Sequence, residues 1–191
     1  MATLEEVYWN SFLPVFFEKM VSTMRKNMTK VVSEYGLSSS HSLYLIALNL
    51  QEGQTLVQLS RFLELDPANT NRILKTLKDK GFVWDDRKTE NSKKYSVFLT
   101  DSGRELAKKI TASMTEDNSN YFNGIPREEV VRMRMTLIKV IQNMDPGLKK
   151  DIGSDVNDPF YAYLQTVPAS IDSVMIPWRL VEDDPHTQKK S

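Results

Sequence analysis

The sequence predicts a mostly helical α+β chain, with long helices at both ends of a smaller middle section and one short β-hairpin. Three observations carry this. Apolar residues recur at three- and four-residue steps over much of the first 144 positions, the period of a helix face. Several of these stretches begin with capping chemistry, most legibly Thr55 with Gln58 and Asp66 with Pro67. Two short runs rich in aromatic and branched residues, Phe82 to Asp86 and Tyr95 to Leu99, read instead as strands on either side of a polar segment.

Taken in order, residues 4 to 35 read as one helix, through Leu4, Val7, Tyr8, Phe12, Val15, Phe16, Met20, Met24, Met28 and Val31. Pro14 predicts a kink, or a helix that starts near it, and Gly36 suits a left-handed C-cap. A second helix, Ser39 to Leu50, is apolar on all sides and is therefore expected inside the core. Thr55-Leu56-Val57-Gln58 has capping-box spacing and opens a helix to about Leu63. Glu64-Leu65 is a tight connection, after which Asp66 caps and Pro67 opens a helix to Lys80 that Gly81 ends. Two short helices joined by a turn of about three residues form a helix-turn-helix. The two strand-like runs around Arg87 to Lys94 make a β-hairpin, or wing. Thr100 to Gly103 starts a helix from Asp101 to about Tyr121, and Pro126 opens a last one to Met144.

Residues 1–144 are therefore expected to form one winged helix-turn-helix domain, with its reading core at about 36–104. From Asp145 the texture changes. The final 47 residues hold five prolines and eight acids against five bases, so 145–191 reads as an acidic extension that is only partly ordered. Its aromatics (Phe160, Tyr161, Tyr163, Trp178) predict that part of it docks on the body or a partner subunit, and Asp158-Pro159 could cap one short helix.

The whole chain has 191 residues with 25 basic and 25 acidic side chains, and a formal charge of zero gives no hint of a nucleic-acid partner. It has no cysteine, which excludes disulfides, thiolate zinc sites and thiol redox chemistry. The two histidines are His41 and His186, too few for a zinc site, and a Ser-His-Asp triad would have to rest on His41 with no nucleophile beside it. The seven glycines are scattered singly and form no phosphate-binding loop. The expectation is neither an enzyme nor a cofactor protein. No segment approaches the roughly 18 to 20 apolar residues of a membrane span, and the start MATLEEVYWN carries two acids where a signal peptide carries positive charge, so a cytoplasmic protein with no membrane partner is expected.

The helix from Pro67 to Lys80 is the most informative segment. Ile73, Leu74 and Leu77, with Thr70 a turn earlier, share one face; Ala68, Asn69, Asn71, Arg72, Lys75 and Lys78 lie opposite. Asparagine can pair with adenine, arginine with guanine, and alanine can touch a thymine methyl. A merely solvated face would more often carry Glu, Lys or Gln than two asparagines. Between Pro67 and Arg104 nine bases face five acids, a local charge of +4, so global neutrality conceals a basic head and an acidic end. Arg87, Lys88, Lys93 and Lys94 near the wing tip can reach phosphates or the minor groove, although such charges also keep hairpin edges unpaired. Thr55 and Ser38 to Ser40 offer free backbone donors to phosphate, or serve simply as caps.

Gly36-Leu37-Ser38, the capped helix from Thr55, Leu65-Asp66, Asn71-Arg72, Leu77-x-x-Lys80-Gly81-Phe82-Val83 and Leu99-Thr100-x-x-Gly103, in this order and spacing, resemble the MarR family of winged-helix transcription regulators. The resemblance implies a homodimer in which residues 4–35 and 101–144 interlock, and a double-stranded palindromic DNA partner with half-sites one helical turn apart. It implies base reading by Pro67 to Arg72 and a wing at Arg87 to Lys94. Where the family typically carries an Asp-x-Arg pattern in the wing, this chain has Asn91-Ser92-Lys93-Lys94, and lysine makes a less directional groove contact than arginine. The lack of cysteine and the shortage of histidine leave the branch that answers to small aromatic or phenolic ligands, or to none. A ligand would sit against Met24, Met28, His41, Tyr44 and Leu45.

The expectation is thus a sequence-specific DNA-binding transcription regulator, a repressor released by a small aromatic effector. Thr55, Pro67, Ala68, Asn69, Asn71, Arg72, Lys75, Arg87, Lys88, Lys93 and Lys94 form its DNA-binding set. The rival reading is a winged-helix module that binds another protein without an operator.

Overall fold

The computed structural model describes residues 3–89 and 94–145. Helix α1 spans Leu4–Val32 and is followed by a single 3-10 turn, Ser33–Tyr35. It starts well before Pro14, because Thr3 and Glu6 form a reciprocal capping box: the Glu6 amide donates to Thr3 Oγ1 at 3.1 Å and the Thr3 amide to Glu6 Oε2. Pro14 therefore lies inside the helix rather than at its head. Gly36 takes φ +63°, as predicted for the cap, and turns the chain into α2, Ser39–Leu50.

Strand β1, Gln54–Thr55, precedes α3, Leu56–Phe62, and α4, Pro67–Asp79. The hairpin strands are β2, Val83–Asp85, and β3, Ser96–Leu99. Helices α5, Asp101–Tyr121, and α6, Arg127–Met144, complete the described fold. The sheet is antiparallel in the order β1-β3-β2, with Gln54 opposite Val97, Val83 opposite Leu99 and Asp85 opposite Val97. The sequence reading missed β1, so what it took as a hairpin is a three-stranded sheet.

The core lies where α2 passes between α1, α5 and α4. Val32, Tyr44, Leu45, Leu48, Leu59, Leu77, Leu99 and Ile110 are closed off from solvent there. Burial of side chains this size, at about 25 cal/mol per Å² of apolar surface, is the principal force holding the helix-turn-helix against the sheet and α5. Buried Gln54 ties β1 to α2 by donating from Nε2 to the carbonyls of Ala47 and Gln51 at 3.0 and 2.8 Å. The first two-thirds of α1 are different: Leu4, Tyr8, Trp9, Leu13, Val15 and Phe16 are all exposed, Trp9 by 63% and Val15 by 67%. On α6, Val130 and Val131 are buried while Met133 and Met144 face outward. The acidic extension from Pro146 onward, with its predicted short helix and docking run, lies outside the described residues, as does His186.

Candidate nucleic-acid interface

The reading head is assembled from local chemistry. Thr55 caps α3, accepting from the Gln58 amide at 3.3 Å while Gln58 Oε1 takes the Thr55 amide at 2.8 Å. The same hydroxyl donates to Gln58 Oε1 at 2.9 Å, so Thr55 is engaged as a cap, and its side chain is half-buried. The turn after α3 closes with the Leu65 amide on the Ser60 carbonyl at 2.9 Å, and Glu64 adopts the left-handed conformation, φ +51°. Asp66 then caps α4, its Oδ2 accepting from the Asn69 amide at 2.9 Å, with Pro67 in the first turn.

Helix α4 is two-faced as predicted. Thr70, Ile73, Leu74 and Leu77 are buried, while Pro67, Ala68, Asn71, Arg72, Lys75 and Lys78 are exposed and Asn69 is half-buried. The Arg72 guanidinium donates to Asn69 Oδ1 at 2.9 Å, so these two side chains stand together at the head of the helix. On the inner face the Thr70 and Tyr44 hydroxyls are hydrogen bonded at 2.8 Å, both fully buried. This bond couples α2 to the centre of α4. Burial, outweighing the Thr70 contact, raises the Tyr44 phenol above its ordinary value and keeps it neutral.

The wing is held by two aspartates. The Asp86 carboxylate accepts the Ser96 amide at 2.7 Å and the Asp86 amide donates to the Ser96 carbonyl at 3.2 Å, extending the hairpin beyond its strands. Asp85 points inward, and its Oδ2 lies 2.8 Å from Lys78 Nζ and 3.1 Å from the Arg87 guanidinium. Burial would raise the Asp85 carboxyl, but the hydrogen bonds and charges of Lys78 and Arg87 outweigh it and hold the group below its ordinary value. Arg87 also covers the Tyr95 ring, 3.8 Å from the centroid. Of the predicted wing cations, Arg87 is thus already engaged, Lys88 and Lys94 are exposed, and Lys93 lies outside the described residues. On the opposite face of the sheet Trp84 stacks on Phe98, ring centroids 4.6 Å apart.

The predicted ligand residues are not drawn to one open surface. Tyr44 and Leu45 have no exposed area, His41 and Met28 are half-buried, and Met24 is exposed. His41 instead serves the start of α2: its Nδ1 lies 3.1 Å from the Ser38 amide and 2.9 Å from Ser38 Oγ. Burial, with Lys80 and Arg72 adding positive charge nearby, lowers the His41 pKa. An open recess on α1 is lined by Glu18, Ser22, Arg25, Lys26 and Thr29, none of them in the predicted set.

Sequence reasoning missed the inward carboxylate of Asp85 and the Tyr44–Thr70 bond. The first had a signal: in β2 the alternation that buries Val83 and exposes Trp84 returns Asp85 to the inner side. The second had none, since nothing in either helix alone marks a partner 26 positions away.

Comparison with known proteins bears on the same region. Residues 37–95 match the model of the MarR family, a stretch that runs from the start of α2 into the wing. The chain is 24% identical over 148 residues to the HTH-type transcriptional regulator SarZ of Staphylococcus epidermidis, covering 77% of this chain and 99% of that protein. A MarR family transcriptional regulator from Silicibacter pomeroyi superposes with a TM-score of 0.64 at 22% identity, over 74% of this chain and 96% of that one. MepR of S. aureus, solved as a complex with DNA, superposes with a TM-score of 0.58 at 17% identity, over 68% of this chain and 94% of that one.

Proposed function

We propose that the chain is a winged-helix regulator of the MarR type, one that binds palindromic double-stranded DNA sequence-specifically as a homodimer and represses. The observation that carries the reading is α4: capped, pinned from behind by Tyr44, and presenting Ala68, Asn69, Asn71, Arg72 and Lys75 on its outer side. These side chains supply the donors, acceptors and methyl that distinguish base pairs in a major groove, with Lys88 and Lys94 of the wing beside them for phosphates. The MepR–DNA complex adds support for DNA as the ligand of this fold.

The dimer is supported by the outer part of α1, since an exposed run of Trp9, Leu13, Val15 and Phe16 is more apolar surface than a solvated helix keeps. A two-fold pair would set two α4 helices about 34 to 36 Å apart, facing successive major grooves. Release by a small aromatic effector is a further part of this reading. Because Tyr44 and Leu45 are closed off from solvent, this reading favours an opening for such a ligand nearer Met24 and Met28.

Fluorescence anisotropy with duplexes from the chain's own upstream region tests the proposal. Arg72→Ala should weaken the specific duplex by about 1 to 3 kcal/mol and flatten preference at one base pair, whereas Lys94→Ala should weaken all duplexes alike and reduce the salt slope by about one. Absence of binding at low salt would refute the regulator reading and leave the protein-binding module in its place.

A further inference from the structure

We infer that Asp85 is a positioning residue for DNA recognition: its inward carboxylate fastens the β-hairpin to the C-terminal turns of α4, so that wing and reading helix meet the duplex as one rigid piece. The inference rests on the DNA-binding reading above and assigns a role to a residue that cannot itself bind a phosphate. Asp85 is an acid in the most basic part of the chain, its side chain only 5% exposed. The carboxylate gathers two segments directly and a third through Arg87. Lys78 comes from α4 at 2.8 Å; Arg87 comes from the chain leaving β2, through its guanidinium at 3.1 Å and its amide at 3.4 Å. Arg87 in turn sits over the ring of Tyr95, which leads into β3.

A surface ion pair would add little rigidity, because solvent screens it and the long side chains stay free. This carboxylate is nearly buried and is shared by two cations, a half-exposed Lys78 and a more enclosed Arg87 that also lies over a ring, which limits the geometries open to the hairpin relative to α4. Lys88 and Lys94 sit on the arms carried by that hairpin, so their reach to phosphate depends on its angle. Arg87 is held inside the brace and is removed from the set of phosphate contacts.

Positioning and plain electrostatics predict opposite signs, which makes the inference decidable. If Asp85 were only a negative charge near DNA, Asp85→Asn should tighten binding, as removing an acid from a basic face does. As a brace, Asp85→Asn should weaken binding to specific and unspecific duplexes by about tenfold and lower the salt slope, because wing contacts are lost. Asp79→Asn, which removes an exposed acid from the end of α4, should bind as tightly as the parent or tighter. Asp85→Glu keeps the charge but displaces it by one methylene; it should also weaken binding, which a pure charge effect would not produce.

Amide hydrogen exchange read by mass spectrometry on the free protein supplies a measurement that needs no DNA. In Asp85→Asn, exchange should quicken in β2 and β3 and in the last turn of α4, with α2 and α5 unchanged. Binding equal to or tighter than the parent, or unchanged exchange in the hairpin, overturns the brace. A parent protein that binds no duplex while the variant's hairpin exchanges faster removes the DNA reading and leaves the brace standing as a structural element.

Discussion

Gly103→Ala tests whether the wing, the reading helix and α5 are locked at a common joint. A Cβ at position 103 would fall 2.0 Å from the Phe82 carbonyl oxygen and 3.3 Å from Leu99 Cδ2. The first contact is with backbone, so the neighbour cannot swing away; α5 and the start of β2 must part by more than an ångström. The same Phe82 oxygen accepts the Thr100 amide at 3.1 Å, while Thr100 Oγ1 donates to the Gly81 carbonyl at 2.7 Å and accepts from the Gly103 amide at 3.0 Å. Overpacking costs about 1 to 3 kcal/mol and a lost hydrogen bond about 0.5 to 1.5 kcal/mol. Alanine's better helix propensity returns about 1 kcal/mol. The expected net loss is about 1 to 3 kcal/mol, a fall in melting temperature of about 3 to 10 °C for a chain of this length by far-UV circular dichroism. Propensity and packing act in opposite directions here. A variant that melts at or above the parent temperature would show that the joint is not tight and would refute the argument from contact.

Two further substitutions probe the helices around the reading head. Tyr44→Phe leaves the buried Thr70 hydroxyl without its partner and should cost about 1 to 2 kcal/mol in urea unfolding, while Tyr44→Phe with Thr70→Val should recover part of it; strict additivity would count against the bond. His41 accepts at Nδ1, which requires a neutral ring, and its folded pKa is lowered from the ordinary 6.5. Its contribution is therefore present above about pH 6.5 and lost as pH falls through the lower folded value. His41→Gln, whose amide oxygen accepts at any pH, should remove that part of the pH dependence; parallel urea midpoints for parent and variant between about pH 7 and 5 would contradict the capping role.

The helix-turn-helix was legible because its boundaries are written in neighbouring residues. Thr55 with Gln58, and Asp66 with the Asn69 amide, satisfy backbone donors three positions away, and Pro67 brings no donor that needs a partner, so sequence spacing is the geometry. Likewise α4 keeps its buried and exposed faces along one helix, and period alone separated Ile73, Leu74 and Leu77 from Asn71, Arg72 and Lys75. What escaped depends on register between distant segments. Strand β1 is two residues long and exists only because Gln54 and Thr55 pair with Val97 and Ser96. Asp85 looked like one of several acids offsetting the basic wing; only the alignment of β2 on β3, and of both on α4, turns it inward to Lys78. His41, read as a pocket-lining candidate, became a cap because Ser38 lies three positions earlier, a spacing the sequence displayed but for which histidine is an unusual choice. The zero net charge was the least informative reading, since charge acts through its local distribution.

Glu64 sits in the turn between α3 and α4 at φ +51°, a conformation that costs an L-residue roughly 1 to 2 kcal/mol and costs glycine almost nothing. The turn therefore holds the reading head in place without its most favourable residue. Part of the gain from glycine would be offset by the freer unfolded chain, leaving about 0.5 to 1 kcal/mol. That is close to the damage of an average point mutation, about 1 kcal/mol. One codon change at position 64 would thus let the domain absorb an otherwise harmful substitution elsewhere, including new side chains on the outer face of α4. The joint that fixes the helix is also where this protein keeps its latitude to change the residues on that face.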